Sequence, residues 1–118
     1  MISFNSQNIY FAGDTAQGHH FRQIAEKYPS IDVALMPVSP CNPREFVKES
    51  HLDAYEAVRA FIDLNARIFI PMHWGTFRIN LDKFDEPIQL LKNSWNSLGN
   101  SLINKNLQVL KFGQRLEL

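Results

Sequence analysis

Asp14 and His73 each stand just beyond an apolar run, in "IYFAGDT" and "IPMHWGTF", and His51 lies between them, at the head of "LDAYEAVRAFIDLNA". A carboxylate and neutral imidazoles are a donor set suited to a divalent ion such as zinc, and a bound ion can activate water. Each residue also has a plainer reading. Asp14 could be the N-cap of a following helix, His73 the hydrogen-bonded polar end of a buried strand, and His51 a surface residue at a helix start. The octapeptide around His73 does not by itself decide between ligand and strand end. Trp74, next to His73, is open to packing or to substrate contact. His19 and His20 are adjacent, so they point in different directions and are expected in solvent. Cys41 lies between prolines with nothing nearby to mark an activated thiol, and is expected to be an ordinary loop residue.

These residues can act together only if the fold gathers the ends of separate elements. Met1 to Ala12 reads as a hairpin, "ISF" and "NIYFA", turned at Ser6, Gln7 and Asn8. Phe21, Ile24, Ala25 and Tyr28 recur at helical spacing and predict a helix from about Gly18 to Tyr28, closed by Pro29. "DVALMPV" reads as a buried strand and "SPCNPREFVKE" as a long loop. Ser50 followed by Asp53 matches a capping signature. It predicts a second helix that His51 opens, with Leu52, Tyr55, Val58, Phe61 and Ile62 as its apolar stripe and Asn65 as its left-handed C-cap. "RIFIPM" is a further strand. Asp85 heads a third helix that tolerates Pro87, turns Ile88, Leu91 and Trp95 inward and stops at Gly99. The tail "LQVLKFGQRLEL" reads as two short strands paired across Gly113.

The order is α/β alternation with antiparallel additions, and in such sheets ligand sites form at the carboxyl ends of strands. "GDTAQGHH", "PVSPCNPREFVKESH" and "MHWGTF" all leave such ends, so Asp14, His51 and His73 can converge. "IYFA", "VALM" and "IFI" are continuous apolar runs, which expect burial on both faces, yet three helices on one face cannot cover two. With 118 residues, 45% hydrophobic, the chain is expected to be a single domain. Twelve basic and twelve acidic residues give no net charge and no electrostatic footprint for nucleic acid. The apolar runs fall far short of the ~20 residues of a membrane span. "MISFNSQN" has neither a charged n-region nor an apolar h-region and the single Cys41 forms no intrachain disulfide, so the expected location is the cytoplasm.

"IYFAGDT", "IDVALMPV", the helix headed by His51, and "PMHWGTF" together resemble the C-terminal half of a metallo-β-lactamase-fold hydrolase. The resemblance runs from Ile9 to about Leu91 and is narrower still with the branch that contains N-acylphosphatidylethanolamine-hydrolysing phospholipase D. It implies half of an αββα sandwich, a mixed β-sheet with helices on one face and an apolar opposite face made for a second sheet. It also implies a dinuclear zinc centre in which Asp14 bridges the metals, His73 binds one of them and His51 touches the substrate phosphate, with Trp74 a further substrate contact. The family's H-x-H-x-D-H motif belongs to its N-terminal half and does not occur among the four histidines here. The implied activity is hydrolysis of a phosphodiester, with a phospholipid as the candidate substrate of the complete fold, and with weak or absent metal binding and no activity expected of this chain alone. Two alternatives stay open: a non-catalytic module that self-associates through the exposed sheet face, and a lactonase or β-lactam-type hydrolase.

Overall fold

The computed structural model describes residues 1–77 and 81–118. Strands β1 (Ile2–Phe4) and β2 (Gln7–Phe11) form the predicted hairpin. Its turn is Asn5 and Ser6, both with positive φ, and Gln7 and Asn8 belong to the strand rather than to the turn as the sequence reading had it. Two successive left-handed residues match the right-handed twist of the strands, so the chain reverses in two residues rather than three.

From β2 the chain runs through helix α1 (His20–Lys27) to β3 (Val33–Pro37), and through the short helix α2 (Arg44–Val47) and helix α3 (Ala54–Leu64) to β4 (Ile68–Met72). Helix α4 (Glu86–Ser97) and a 3-10 turn (Gly99–Leu102) lead to β5 (Asn106–Leu107). The strands lie in the order β1-β2-β3-β4-β5; β1 is antiparallel to β2 and the other pairs are parallel. Each parallel strand is laid on the same side of its predecessor. Right-handed crossovers therefore place all three long helices on one face of the sheet.

Helix α3 is the central helix, touching α1, α4 and β3. Its start is one turn later than the Ser50 signature suggests: Asp53 is the N-cap, its carboxylate accepting from the Glu56 N–H while Glu56 accepts from the Asp53 N–H. The helix ends at Asn65 in the left-handed region, as expected. The buried stripe only partly matches the expected one. Ala54, Ala57, Val58, Phe61 and Leu64 face inward, whereas Tyr55, placed in the stripe by the sequence reading, is exposed. Small alanines let α3 approach β3 closely, and Phe61 meets Phe69 of β4 and Trp95 of α4 at ring separations of 5.2 and 5.6 Å.

Asp85 stands at the N-cap of α4, though without a side-chain cap bond, and the helix ends at Ser97, short of Gly99, which opens the 3-10 turn. One further expectation fails. The tail forms no hairpin across Gly113. Asn106 and Leu107 instead extend the sheet beside β4, because the Asn106 N–H is drawn to the Arg67 carbonyl and the Gln108 N–H to that of Phe69.

Ala34 and Met36 of β3 and Phe69 of β4 point to the helices. By alternation Val33, Leu35, Ile68, Ile70 and Met72 point the other way, in register with Ile9 and Phe11 of β2 and, at the edge, with Ile2. Of these only Val33 is buried; Ile2 and Phe11 are 60% and 55% exposed. The central strand β3 is buried on both sides, as its apolar run predicts, but β2 and β4 are closed only toward the helices. The second face is apolar, and among the described residues no helix covers it.

Candidate active site

The carboxyl ends of β2, β3 and β4 open on one side, and the segments leaving them meet there. Two residues beyond β2, Gly13 takes φ +65°, a turn that a side chain would strain, and delivers Asp14 into the open with 70% of its side chain exposed. Directly after β4, His73 itself adopts φ +61°. A non-glycine residue in this region costs roughly 1–3 kcal/mol and persists where its surroundings over-determine it, which is common at functional sites. The turn aims the ring at Asp14, with Nδ1 3.3 Å from Asp14 Oδ1.

His51 arrives by another route than the sequence suggests. It does not open a helix: α3 begins three residues later, and His51 closes the turn after α2, its N–H donating to the Val47 carbonyl at 2.8 Å. The positive end of the α3 dipole therefore has no direct hold on its ring. Arg44 holds the segment instead, donating to the His51 carbonyl at 2.9 Å while its guanidinium pairs with Asp53 and Glu56 of the capping box. The neighbouring Leu52 N–H donates to the Thr15 carbonyl at 2.8 Å, tying this loop to the one that carries Asp14. His51 Nδ1 comes to 4.0 Å from Asp14 Oδ1 and is buried with no hydrogen-bond partner among the described residues. An orphaned buried nitrogen is costly, and here it faces a carboxylate across a gap too long for a good bond.

Asp14, His51, His73 and Trp74 line one pocket of about 540 Å³, with Ser39, Pro40, Val47, Thr76 and Phe77 completing its wall. The structure thus gathers all four residues singled out in the sequence. Asp14 is not an N-cap, since α1 starts six residues later without a side-chain cap. Trp74 lines the pocket and also packs, donating Nε1–H to the Pro71 carbonyl and stacking on Phe112. Among the described residues no three His, Cys, Asp or Glu side chains are grouped so as to hold a metal ion by themselves.

Several contributors were not legible in the sequence. Buried Asp82 accepts from the Cys41 N–H at 2.6 Å, from Asn42 Nδ2 at 3.0 Å and from Ser39 Oγ at 3.4 Å, fixing the pocket wall at Ser39 and Pro40. A partner some forty residues away leaves no local signal. Arg44 had one, a basic residue nine positions before an Asp-x-x-Glu pair, but only the folded loop shows its use. Asp82→Ala should lower stability by about 1–3 kcal/mol, because it strands the buried Cys41 N–H; a urea unfolding curve with an unchanged slope and a lower midpoint is the expected result. Cys41, expected as a plain loop thiol, is buried and donates to the Val38 carbonyl. Burial, with lesser contributions from Asp82, Asp53 and Glu86, pushes its pKa up to about 11, so it is no nucleophile at neutral pH.

Residues 1–74 match the family described as Beta-lactamase superfamily domain. The chain is 34% identical over 89 residues to an uncharacterized protein of Mycobacterium tuberculosis, covering 73% of this chain and 23% of that one. It is 35% identical over 89 residues to N-acyl-phosphatidylethanolamine-hydrolyzing phospholipase D 1 of Caenorhabditis elegans, covering 74% and 25%. It therefore spans about a quarter of the length of these relatives. Igni18, a metallo hydrolase of the archaeon Ignicoccus hospitalis, has the same fold over 94% of this chain and 41% of its own, with a TM-score of 0.63 at 24% identity. The mixed sheet with helices on one face, the pocket at its strand ends and the matched family agree, and the chain belongs to the beta-lactamase superfamily.

Proposed function

We propose that this chain is the C-terminal half of a zinc-dependent phosphodiesterase of the phospholipase D type, with Asp14 and His73 as metal ligands and His51 as the residue that meets the phosphate. The observation that carries this reading is the approach of His73 Nδ1 to Asp14 Oδ1, 3.3 Å, at the mouth of a pocket into which His51 also turns. Oxygen and imidazole nitrogen are the donors zinc takes, but zinc in proteins uses three or four of them. The pair fits as one part of a shared site, with the other ligands supplied by a complementary N-terminal half seated on the open sheet face. When bound, a metal pair supplies an activated water and neutralises charge on the phosphodiester.

The chain's own residues have separate tasks in this reading. Asp14 has two carboxylate oxygens and an exposed side chain, so it can span two cations. His73 is fixed by its backbone turn and cannot swing away without losing the strand end. A ring N–H of His51 donates to a phosphoryl oxygen, while Val47, Trp74 and Phe77 give the pocket an apolar side. A phospholipid substrate is proposed from the named activity of the worm relative. The described residues include no helix long and apolar enough to cross a membrane. The cytoplasm is the proposed location, in keeping with the lone thiol.

The test is to titrate zinc into the chain alone and together with a separately expressed N-terminal half carrying H-x-H-x-D-H. The chain alone should show no tight site, and the assembled pair should bind zinc tightly and hydrolyse a phosphodiester. A nanomolar site in the isolated chain that is lost in both Asp14→Ala and His73→Ala would overturn the shared-site reading. Turnover of lactones or β-lactams with none of phosphodiesters would transfer the same half-site to the other hydrolase class. The exposed Ile2, Phe4 and Phe11 favour a second reading, a non-catalytic module in which a second copy covers the open face.

A further inference from the structure

His20, expected in solvent, is only half-exposed, and its Nε2 lies 3.2 Å from Thr15 Oγ1. The Thr15 hydroxyl directs its own hydrogen to the Ala16 carbonyl at 3.1 Å. With that hydrogen on Ala16, the Thr15 oxygen accepts from His20, an arrangement that corresponds to the tautomer protonated at Nε2. The other nitrogen, Nδ1, then presents a lone pair toward Gly18, where a β-carbon would come within 2.8 Å of it. A side chain at position 18 would push the His20 ring out of this contact. The ring is also seated against buried Phe21, with centroids 4.0 Å apart.

Thr15 is the hub of the site's two loops. It follows Asp14 directly, and its carbonyl takes the N–H of Leu52, the fully buried neighbour of His51. The side chain of Thr15 faces His20 while its backbone holds the His51 loop.

We propose that His20 is a positioning residue of the candidate active site. By donating Nε2–H to Thr15 it fixes the loop that carries Asp14, and through the Thr15 carbonyl and Leu52 it sets the separation of His51 from Asp14. That this separation serves hydrolysis rests on the function proposed above; the positioning itself does not.

Nuclear magnetic resonance on the ¹⁵N-labelled chain tests it without any activity measurement, so failure of the hydrolase reading leaves the outcome unaffected. At a pH where the ring is neutral, long-range couplings should show His20 as the Nε2–H tautomer. In His20→Ala the Leu52 amide should exchange with solvent about tenfold faster or more, as expected when a local tie opens, while the Ile68 amide, bonded to the Asp32 carbonyl in the sheet, keeps its rate. The ring resonances of His51 and His73 should move in the same variant. His20→Gln, whose amide nitrogen can take the place of Nε2, should restore most of the Leu52 protection and the ring resonances. An Nδ1–H tautomer in the unaltered chain overturns the proposal even if the alanine variant does not fold. So does unchanged Leu52 exchange in His20→Ala, or loosening of Leu52 and Ile68 together without rescue by glutamine.

Discussion

In the assembled enzyme, His73→Ala should empty a metal position and remove nearly all turnover, whereas His51→Ala should keep the metal and lower kcat/KM by about 10²- to 10³-fold. The contrast follows from where the two rings sit. His73 stands in van der Waals contact with the Asp14 carboxylate on a strained backbone that permits little rearrangement, so no neighbour can replace its nitrogen. Loss of a metal from a two-metal site removes both the nucleophile's activation and half of the charge stabilisation. His51 is farther from Asp14, 4.0 Å at its nearest contact, and is held by backbone bonds from Arg44 and Val47 that do not depend on its ring. Its truncation should leave the loop in place and delete one hydrogen-bond donor to the phosphate. Metal content by atomic spectroscopy, measured beside steady-state kinetics, separates the two roles. Zinc lost from His51→Ala, or turnover in that variant equal to the parent's, would sink the assignment of His51 to the phosphate.

The chain by itself should not sediment as a monomer. Ile2, Phe4 and Phe11 are 60%, 72% and 55% exposed, and Leu35, Ile70 and Met72 beside them are only partly covered. A contiguous apolar face beyond the few hundred Å² that soluble monomers usually expose drives association. The edge strand β1 adds unpaired backbone groups to the same margin. At tens of micromolar, a range chosen as roughly that of ordinary assays, sedimentation velocity should show dimers or larger species. Phe4→Ser with Phe11→Ser should shift the chain toward monomer, and so should addition of a complementary half, by covering the same surface. A compact monomer of the unaltered chain would show that the second face needs no cover, and the half-sandwich reading would fall with it.

The long helices and inner strands were legible in the sequence because each rests on interactions among near neighbours, whereas the short α2 lies in the segment read as a loop. Periodicity marked α1, α3 and α4, continuous apolar runs marked β2, β3 and β4, and Asn65 announced its left-handed cap. The motifs around Asp14 and His73 were legible for the same reason: each follows its strand within a residue or three, so chain direction alone carries both to one end of the sheet. Boundaries were less secure where two local signals compete. Ser50 and Asp53 both resemble caps, and Asp53 prevails because Arg44, nine residues upstream, pairs with its carboxylate and with Glu56. That choice moved His51 out of the helix and replaced a helix dipole by a backbone clamp. The tail was misread since a glycine between apolar residues signals a hairpin only if no other strand offers a free edge, and β4 did. Asp82 acquires its partners only when distant loops close over one another, and Arg44 and His20 meet theirs only through the path of the folded loops. Residue types and order thus determined the layer, its apolar faces and the candidate ligands. Tertiary contact alone decided how those ligands are held, because a hydrogen bond to Thr15, Cys41 or His51 is specified by the place of its partner in space.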